Sequence, residues 1–251
     1  MNKPSPLRGE GGEQSEPGGG DGRRCRRASG LDSGSPRRHP LRMILIGQFD
    51  SPFVRRVGIA LKLYGMAFEH KPWSTFGQGD LIAPYNPLRR VPTLVLDNGE
   101  SLIESTVILD WLDEQAGPAR ALLPDGGDAR RRQLKVCALA TGLADKAVSL
   151  FYEKVLHKEQ TSQFWAERCR TQIEGALAVL EAERAKLPGW WFGERIGHAD
   201  IAVACALRFA GDAHPGSVEA ARWPALTAHA KACEAMPVFR EISQVFIPPA
   251  A

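Results

Sequence analysis

The chain has 251 residues, a formal net charge of +3 and 43% hydrophobic residues. This composition can bury one large core or two small ones, which excludes a wholly disordered protein. Residues 1–42 carry nine basic and five acidic side chains, so their balance is +4 and that of residues 43–251 is −1. The basic character therefore lies in the leader, and the remainder gives no electrostatic reason to expect nucleic-acid binding.

Residues 1–42 are rich in Gly, Pro, Ser and Arg, which predicts a disordered extension. Its arginine clusters leave two explanations open: an arm for nucleic acid or membrane, or an unstructured extension upstream of a start at Met43. The second is favoured because charge runs are usually solvated. The extension lacks the apolar region of a secretory signal, and its acids argue against a transit peptide.

Strand and helix signals then alternate. "MILIGQF" predicts a buried strand, and apolar residues at helical spacing predict a helix from Pro52 to a stop at Gly65. "AFEHKPW" predicts a second strand, followed by an irregular loop, a hairpin around Asp97-Asn98-Gly99, and a helix that closes at Gly117-Pro118. The order β-α-β-loop-β-β-α predicts a compact α/β domain over residues 43–118.

Strand signals stop after a Pro/Gly-rich linker at residues 119–127. Amphipathic stretches follow, which predict an all-α domain over residues 128–251. The four predicted helices cover residues 128–156, 161–187, 199–213 and 223–244.

Three short stretches could carry chemistry. Ser51, just before Pro52, stands at a predicted helix N-cap, where a hydroxyl could also donate to a thiolate and lower its pKa. Val91-Pro92 opens a strand; this is an edge proline, or, if the bond is cis, a turn that presents the Val91 backbone to an extended peptide.

The third stretch is Glu104-Ser105, at the start of the next helix. Capping is the simpler explanation, but the pair also offers a carboxylate for an ammonium group and a hydroxyl for a carboxylate. One α-amino acid group carries both of those charges.

The order of these motifs in one small α/β unit before a helical domain resembles the glutathione transferase family, over Met43 to about Phe246. It is similar to the bacterial members whose first helix opens with "SPF" or "SPY". The resemblance implies a thioredoxin-like N-terminal domain, an all-α C-terminal domain and a cytoplasmic homodimer. It also implies glutathione as co-substrate and a hydrophobic small molecule as acceptor, in a detoxification reaction.

The resemblance assigns site residues by position. Ser51 stabilises the glutathione thiolate as the catalytic residue, and Val91 pairs with the cysteinyl backbone before a cis Pro92. The remaining glutathione-binding residues are Phe53, Arg90 facing the glycyl carboxylate, and Glu104 with Ser105 at the γ-glutamyl end.

A few residues outside this set also carry predictions about their location or role. Arg55 and Arg56 are expected in solvent or at a dimer contact, and the acceptor pocket between the domains has Phe49, Tyr152 and Trp165 as candidates. Gly197 and Asp200 match a structural capping motif, not a catalytic His-Asp pair. The histidines of the chain show no metal-binding spacing, so no metal is expected.

Several alternatives stay open. A serine at position 51 argues against thiol-disulfide exchange, but peroxidase, isomerase or dehalogenase chemistry also uses the glutathione thiolate. A non-catalytic binding or regulatory protein could use the same scaffold. Five scattered cysteines suit reduced thiols in the cytoplasm, and no stretch approaches the roughly 18 apolar residues of a membrane span.

Overall fold

A computed structural model describes residues 43–248 of the chain. The predictions for residues 1–42, including the nucleic-acid or membrane arm, lie outside the described residues. The division into domains at 43–118 and 128–251 stays a prediction.

A four-stranded mixed sheet forms the first half of the fold, with strand order β2-β1-β3-β4. Strands β1 and β2 are parallel and are joined through helix α1, whereas β1 with β3 and β3 with β4 are antiparallel. This is the predicted thioredoxin-like arrangement. The elements are β1 (Met43–Ile46), α1 (Pro52–Tyr64), β2 (Phe68–Lys71), α2 (Gly79–Ile82), β3 (Thr93–Val95), β4 (Ser101–Ile103) and α3 (Ser105–Ala116).

The predicted hairpin is present: β3 and β4 pair around a turn closed by a hydrogen bond from the Leu96 N–H to the Glu100 carbonyl at 2.8 Å. Gly99 supplies the left-handed residue of that turn, with φ of 87°. The one-turn helix α2 lies in the loop that was predicted to be irregular, because four residues are too few for a periodic pattern.

Helices form the second half, as predicted. They are α4 (Gly127–His157), a 3-10 turn (Lys158–Gln160), α5 (Gln163–Arg184), α6 (His198–Ala213), α7 (Pro224–Glu234) and α8 (Pro237–Glu241). Helix α6 packs against α1, α4 and α7, and twelve of its sixteen residues are buried. Its buried residues contribute to both the core cluster of the sheet half and that of the helical half.

The single helix predicted over residues 223–244 is wrong. Two helices are present because Pro237 has no N–H to donate and its ring clashes with a preceding helical carbonyl. Met236 accordingly adopts an extended backbone with ψ of 141°.

The prediction that Arg55 and Arg56 face solvent or a dimer contact is also wrong, because each is only 3% exposed. Arg55 makes a bidentate ion pair with Glu234, at 2.6 and 2.8 Å. It also donates to the carbonyls of Phe239 and Ile242, at 2.9 and 2.8 Å. This arginine ties helix α1 to the C-terminal part of the chain.

The capping motif of α6 is structural, as predicted. Asp200 accepts hydrogen bonds from the backbone N–H of Gly197 and of Trp191, both at 2.9 Å. A Cβ on Gly197 would lie 2.9 Å from Gln133 Nε2 and 3.1 Å from the Leu122 carbonyl oxygen. That close approach explains why glycine stands where a serine or threonine cap would be expected.

His229 contacts the backbone of this motif, and we expect it to make the free energy of unfolding depend on pH. It is buried, and its Nε2 lies 3.4 Å from the Asp200 carbonyl oxygen. Burial lowers the pKa of His229 to about 4, assisted by the charge of Arg184 and opposed by the hydrogen bond to Asp200. At neutral pH this histidine is therefore uncharged.

We expect the free energy of unfolding to decrease as pH falls from about 6.5 to about 4, because the unfolded chain binds the His229 proton first. The loss from this residue is about 3 kcal/mol and is complete below the folded pKa. Urea unfolding across this range should show a shallower decrease for His229→Leu than for the wild type. Parallel curves for the two proteins would contradict the assignment.

Candidate functional site

Ser51 lies where the end of β1 turns into α1. It adopts the extended backbone of an N-cap, with Pro52 at the first helical position, and its Oγ accepts from the Val54 N–H at a long 3.4 Å. The predicted cap is therefore present. That contact uses the oxygen as acceptor and leaves the hydroxyl proton available to donate, at a helix end that favours negative charge.

Gly47 brings Val91 close to this helix end. Its φ is 128°, and a Cβ there would lie 2.5 Å from Val54 Cγ2 and 2.8 Å from Val91 Cβ. The Gly47 N–H donates to the Lys71 carbonyl at 2.9 Å, and the Gly47 carbonyl lies 2.7 Å from His70 Nε2. Hydrogen bonds to β2 thus hold the end of β1 in place. The absence of a side chain at Gly47 lets α1 and the Val91 loop pack directly against it.

The Val91–Pro92 peptide bond is cis, which the residues alone had left open. Within residues 43–248, neither the N–H nor the carbonyl of Val91 is used in a backbone hydrogen bond. The loop is instead supported by Asn86, which is 1% exposed and donates to the Arg90 carbonyl at 2.9 Å and to Thr93 Oγ1 at 3.1 Å.

Asn86 is a supporting residue that the sequence analysis missed. The signal was the Asn-Pro pair in "YNPLRRVP", since asparagine before proline favours a turn. Its Oδ1 accepts from the Leu88 N–H at 3.0 Å, which closes that turn.

Glu104 and Ser105 start helix α3 in an unusual conformation. Glu104 has φ of 73°, a left-handed backbone that is rare outside glycine and occurs often at functional sites. Its carboxylate caps the helix by accepting from the Thr106 N–H at 3.0 Å, and Ser105 Oγ lies 3.3 Å from it. Glu104 is exposed, whereas Ser105 is fully buried.

A cavity of about 810 Å³ opens in front of Ser51. Of the predicted site residues, Ser51, Phe53, Arg90 and Val91 line this cavity together. Pro92, Glu104 and Ser105 are not among its lining residues.

Aromatic side chains, four from the helical half and the C-terminal segment and one from the loop after β2, form another wall of the cavity. Phe151 and Phe209 are in edge contact with Phe246, with ring centroids 5.3 and 5.7 Å apart, and Tyr152 meets Phe76 at 4.9 Å. All five rings line the cavity. Such a wall suits a hydrophobic or aromatic ligand.

Of the three acceptor-pocket candidates, one lines this cavity. Tyr152 lines the cavity, but Phe49 and Trp165 do not. Phe49 stacks on His70 with ring centroids 3.9 Å apart, and Trp165 lies under the Lys146 ammonium. Their rough positions along the chain gave no information on which side of a helix or loop faces the cavity.

The C-terminal segment 244–248 was missed as a part of the site. Gln244 and Phe246 line the cavity, and Gln244 Oε1 accepts from the Phe49 N–H at 3.1 Å. No periodic pattern marks this segment after the last helix, so the sequence gives only one hint, an aromatic residue in "QVFIPP".

Comparisons with known proteins agree with this geometry. Models of the glutathione S-transferase N-terminal and C-terminal domains match residues 45–120 and 163–232. The uncharacterized GST-like protein YibF of Escherichia coli (strain K12) is 32% identical over 167 residues, which make up 66% of this chain and 81% of that protein. The chain belongs to the glutathione S-transferase family.

Solved structures of other family members are similar over most of the chain. A glutathione S-transferase from Methylobacterium radiotolerans JCM 2831, in complex with glutathione sulfonate, has a TM-score of 0.76 and 29% identity, covering 84% of this chain and 100% of that one. A glutathione transferase family member from Pseudomonas fluorescens Pf-5, with bound glutathione, has a TM-score of 0.72 and 34% identity, covering 83% and 100%.

A relative with a different named activity is also similar. Maleylacetoacetate isomerase of Pseudomonas aeruginosa is 30% identical over 195 residues, or 74% of this chain and 88% of that protein. Membership of the glutathione S-transferase family therefore leaves the reaction itself to be assigned.

In residues 43–248 no three His, Cys, Asp or Glu side chains come together as a metal site. No helix in this part of the chain is long and apolar enough to cross a membrane.

Charged side chains of both signs line the cavity of this glutathione S-transferase family member. Arg89 and Arg90 lie on the side of the Val91 loop, and Arg89 pairs with Asp80 at 3.0 Å. Asp50 and Asp145 also line it, and burial raises the pKa of the Asp50 carboxyl. Arg90, in contrast to Arg89, is exposed and forms no ion pair among the described residues.

Replacing Gly47 with alanine should test how the site is held. The new Cβ would overlap Val54 and Val91 in a left-handed backbone, so we expect a loss of about 2 kcal/mol or more in unfolding free energy. Gly65→Ala is the matched control, because φ there is 68° but no atom lies within 4 Å of the added Cβ. Equal losses in urea unfolding for the two variants would show that the close approach has no importance.

Proposed function

We propose that this chain is a glutathione transferase in which Ser51 stabilises the glutathione thiolate for attack on a hydrophobic electrophile. The observation that carries the proposal is that the Ser51 hydroxyl, the Val91 loop and an aromatic wall share one cavity. Bound glutathione or its sulfonate in similar structures supports glutathione as the co-substrate.

The thiolate is the reacting form of glutathione, and a free thiol has a pKa of about 8.5. A hydroxyl donor at the N-terminus of α1 stabilises the anion and lowers that pKa, since the helix end carries partial positive charge. Binding both reactants in one cavity then supplies proximity. Ser51 is the proposed catalytic residue.

The rest of the glutathione molecule is proposed to bind along the edge of the sheet half. The N–H and carbonyl of Val91, next to cis Pro92, pair with the cysteinyl backbone, and Arg90 meets the glycyl carboxylate. Glu104 and Ser105 hold the γ-glutamyl end, and Phe53 packs against the bound peptide beside Ser51. The proposed assembly is a cytoplasmic homodimer with a role in detoxification.

A second candidate is a glutathione-dependent isomerase, which the similarity to maleylacetoacetate isomerase favours. Its reaction also begins with a glutathione thiolate, so the same Ser51 would serve. Peroxidase activity and non-catalytic glutathione binding on this scaffold are the remaining alternatives.

The full chain should be titrated with glutathione by calorimetry and then assayed with an aromatic halide, a maleyl (cis-enoic) diacid and an organic hydroperoxide. The proposal predicts one glutathione per chain and fastest turnover of the aromatic halide. Fastest turnover of the diacid would identify an isomerase instead. Binding without turnover of any of the three would indicate a binding protein, and no binding would contradict every glutathione-dependent role.

A further inference from the structure

The side chain of Gln244 is fixed where the C-terminal segment meets the turn before α1. Its Oε1 accepts a hydrogen bond from the Phe49 N–H at 3.1 Å, and Phe49 lies two residues before Ser51. A backbone N–H can only donate, so the atom that faces it must be the amide oxygen. The orientation of this amide therefore follows from its partner.

The Nε2 group of Gln244 is the part of the amide that remains to face the cavity. The bond to Phe49 engages the oxygen and neither of the two N–H groups on Nε2. Gln244 is partly buried and lines the same cavity as Ser51. Two N–H donors are thus presented to the space in which the glutathione thiolate is proposed to react.

The segment that carries Gln244 is also held on either side of it. Two residues earlier, the Ile242 carbonyl accepts from Arg55 Nε at 2.8 Å. Two residues later, Phe246 packs edge-on against two other rings of the aromatic wall. Val245, between Gln244 and Phe246, is 73% exposed, as expected when the side chains of an extended segment alternate. Gln244 is therefore held in place between the start of α1 and the aromatic wall.

A fixed donor at this position suits the reaction proposed above. When a thiolate attacks a nitro-activated aromatic ring, its electron pair forms the C–S bond and the negative charge moves through the ring onto the nitro oxygens. The C–halogen bond then breaks, the halide leaves with the electron pair of that bond, and the ring becomes neutral again. A preorganised N–H donor next to the nitro oxygens stabilises the charged adduct.

The other strong donors of the cavity have different partners. Arg89 pairs with Asp80 at 3.0 Å, and Arg90 is assigned to the glycyl carboxylate of glutathione. Tyr152 Oη lies 3.5 Å from Thr75 Oγ1. The Gln244 amide is the best-suited donor for the acceptor itself, because its position is fixed by a bond that does not use its N–H groups.

We propose that Gln244 is a second catalytic residue, whose Nε2 donates to the acceptor oxygen that gains negative charge as the glutathione thiolate attacks. This inference rests on the proposed function. It specifies the acceptor class as electrophiles whose charge moves onto an oxygen, such as nitro-activated aromatic halides and conjugated carbonyl compounds. Benzyl halides release charge only to the departing halide, so this donor does not assist their reaction.

The test compares chlorodinitrobenzene with benzyl bromide, on the full chain and on its Gln244→Glu variant. Glutamate has nearly the same shape and can still accept from the Phe49 N–H, but an ionised carboxylate has no N–H to donate. We expect kcat/KM for chlorodinitrobenzene to decrease roughly 10- to 100-fold more than kcat/KM for benzyl bromide. Any effect of the added charge on the thiolate is common to both reactions and cancels in this ratio.

Two further variants separate the lost donor from the added charge. Gln48→Glu is the matched control, because it adds the same charge at another glutamine that lines the cavity. Its ratio of the two kcat/KM values should stay within about threefold of the wild-type ratio. Gln244→Met removes the donor without adding a charge and should show the same selective loss for chlorodinitrobenzene.

Trinitrobenzene gives a second measurement that does not depend on turnover. It has no halide to lose, so the coloured anionic adduct with bound glutathione accumulates and can be titrated by visible absorbance. The adduct should form roughly 10- to 100-fold more weakly in Gln244→Glu and Gln244→Met than in the wild type and Gln48→Glu.

The results distinguish a failure of this inference from a failure of the proposed function. Equal losses for the two electrophiles, or an adduct of unchanged strength in both Gln244 variants, would overturn the role of Gln244 while the wild type still conjugates glutathione. A wild type that turns over neither electrophile and forms no adduct would contradict the proposed function and the role of Gln244 with it.

Discussion

Replacing Ser51 with alanine is expected to reduce kcat/KM for conjugation roughly 100-fold, measured below the pKa of the free thiol, where thiolate is scarce. A loss of this size is typical when one hydrogen-bond donor to an anion is removed from a preorganised active site. Glutathione affinity should change by only about threefold, because the proposed peptide contacts of the Val91 loop and of Glu104 remain. Steady-state kinetics and calorimetry on the full chain measure the two effects separately.

The loss of the helix cap has to be separated from this effect on the thiolate. Ser162 caps α5 as Ser51 caps α1, accepting from the Trp165 N–H at 3.3 Å. Ser162→Ala should therefore lose about 1 kcal/mol of stability and no activity. Ser149→Ala, which removes another hydroxyl that lines the same cavity, is the second control. An equal decrease in activity for Ser51→Ala and Ser149→Ala would contradict a specific role for Ser51.

Replacing Arg55 with methionine is expected to lower the free energy of unfolding by about 3–5 kcal/mol. The change leaves the carbonyls of Phe239 and Ile242 without their donor. It also leaves the Glu234 carboxylate, which is 28% exposed, with only Arg208 at 3.8 Å. Because the segment after Ile242 forms part of the cavity in front of Ser51, KM for the acceptor should also increase more than KM for glutathione. Urea unfolding and two-substrate kinetics give the two results.

Two further variants distinguish the loss of this buried ion pair from the loss of an arginine in general. Arg131 pairs with Asp128 at 2.7 Å, but both side chains are more than 70% exposed, so Arg131→Met should change stability by about 0.5 kcal/mol or less. In the double variant Arg55→Met, Glu234→Gln, part of the lost stability should return, since the group that lost its bidentate partner is then uncharged. A similar loss for Arg55→Met and Arg131→Met would contradict the buried network.

The sequence predicted most of the fold because the signals that define it are local. Pro52 and Gly65 delimit α1 by their own backbone chemistry, and Asp97-Asn98-Gly99 specifies the hairpin. The incorrect predictions concern residues whose surroundings come from distant parts of the chain. The burial of Arg55 depends on Glu234, which lies 179 positions away along the chain, and no local pattern records that distance.

The site was predictable in part for the same reason. Ser51, Val91-Pro92 and Glu104-Ser105 each carry a local signature, and of these Ser51 and Val91 line the cavity together. Their assignment to one glutathione-binding edge stays a prediction. The aromatic wall had no such signature, because Phe151, Phe209 and Phe246 come together only when α4, α6 and the C-terminal segment pack. Gly47 and Asn86, which hold the Val91 loop, likewise act through contacts that only the folded chain reveals.

The most direct test of the proposed thiolate stabilisation is the pH titration of thiolate ultraviolet absorbance for glutathione bound to the full chain, compared with the Ser51→Ala variant. We predict that at pH 7 the bound thiol of the wild type is ionised at least about tenfold more than free glutathione, whose pKa is about 8.5, and that Ser51→Ala abolishes this difference. A bound thiol that ionises like free glutathione in the wild type, or a variant that keeps the wild-type ionisation, would contradict the role assigned to Ser51.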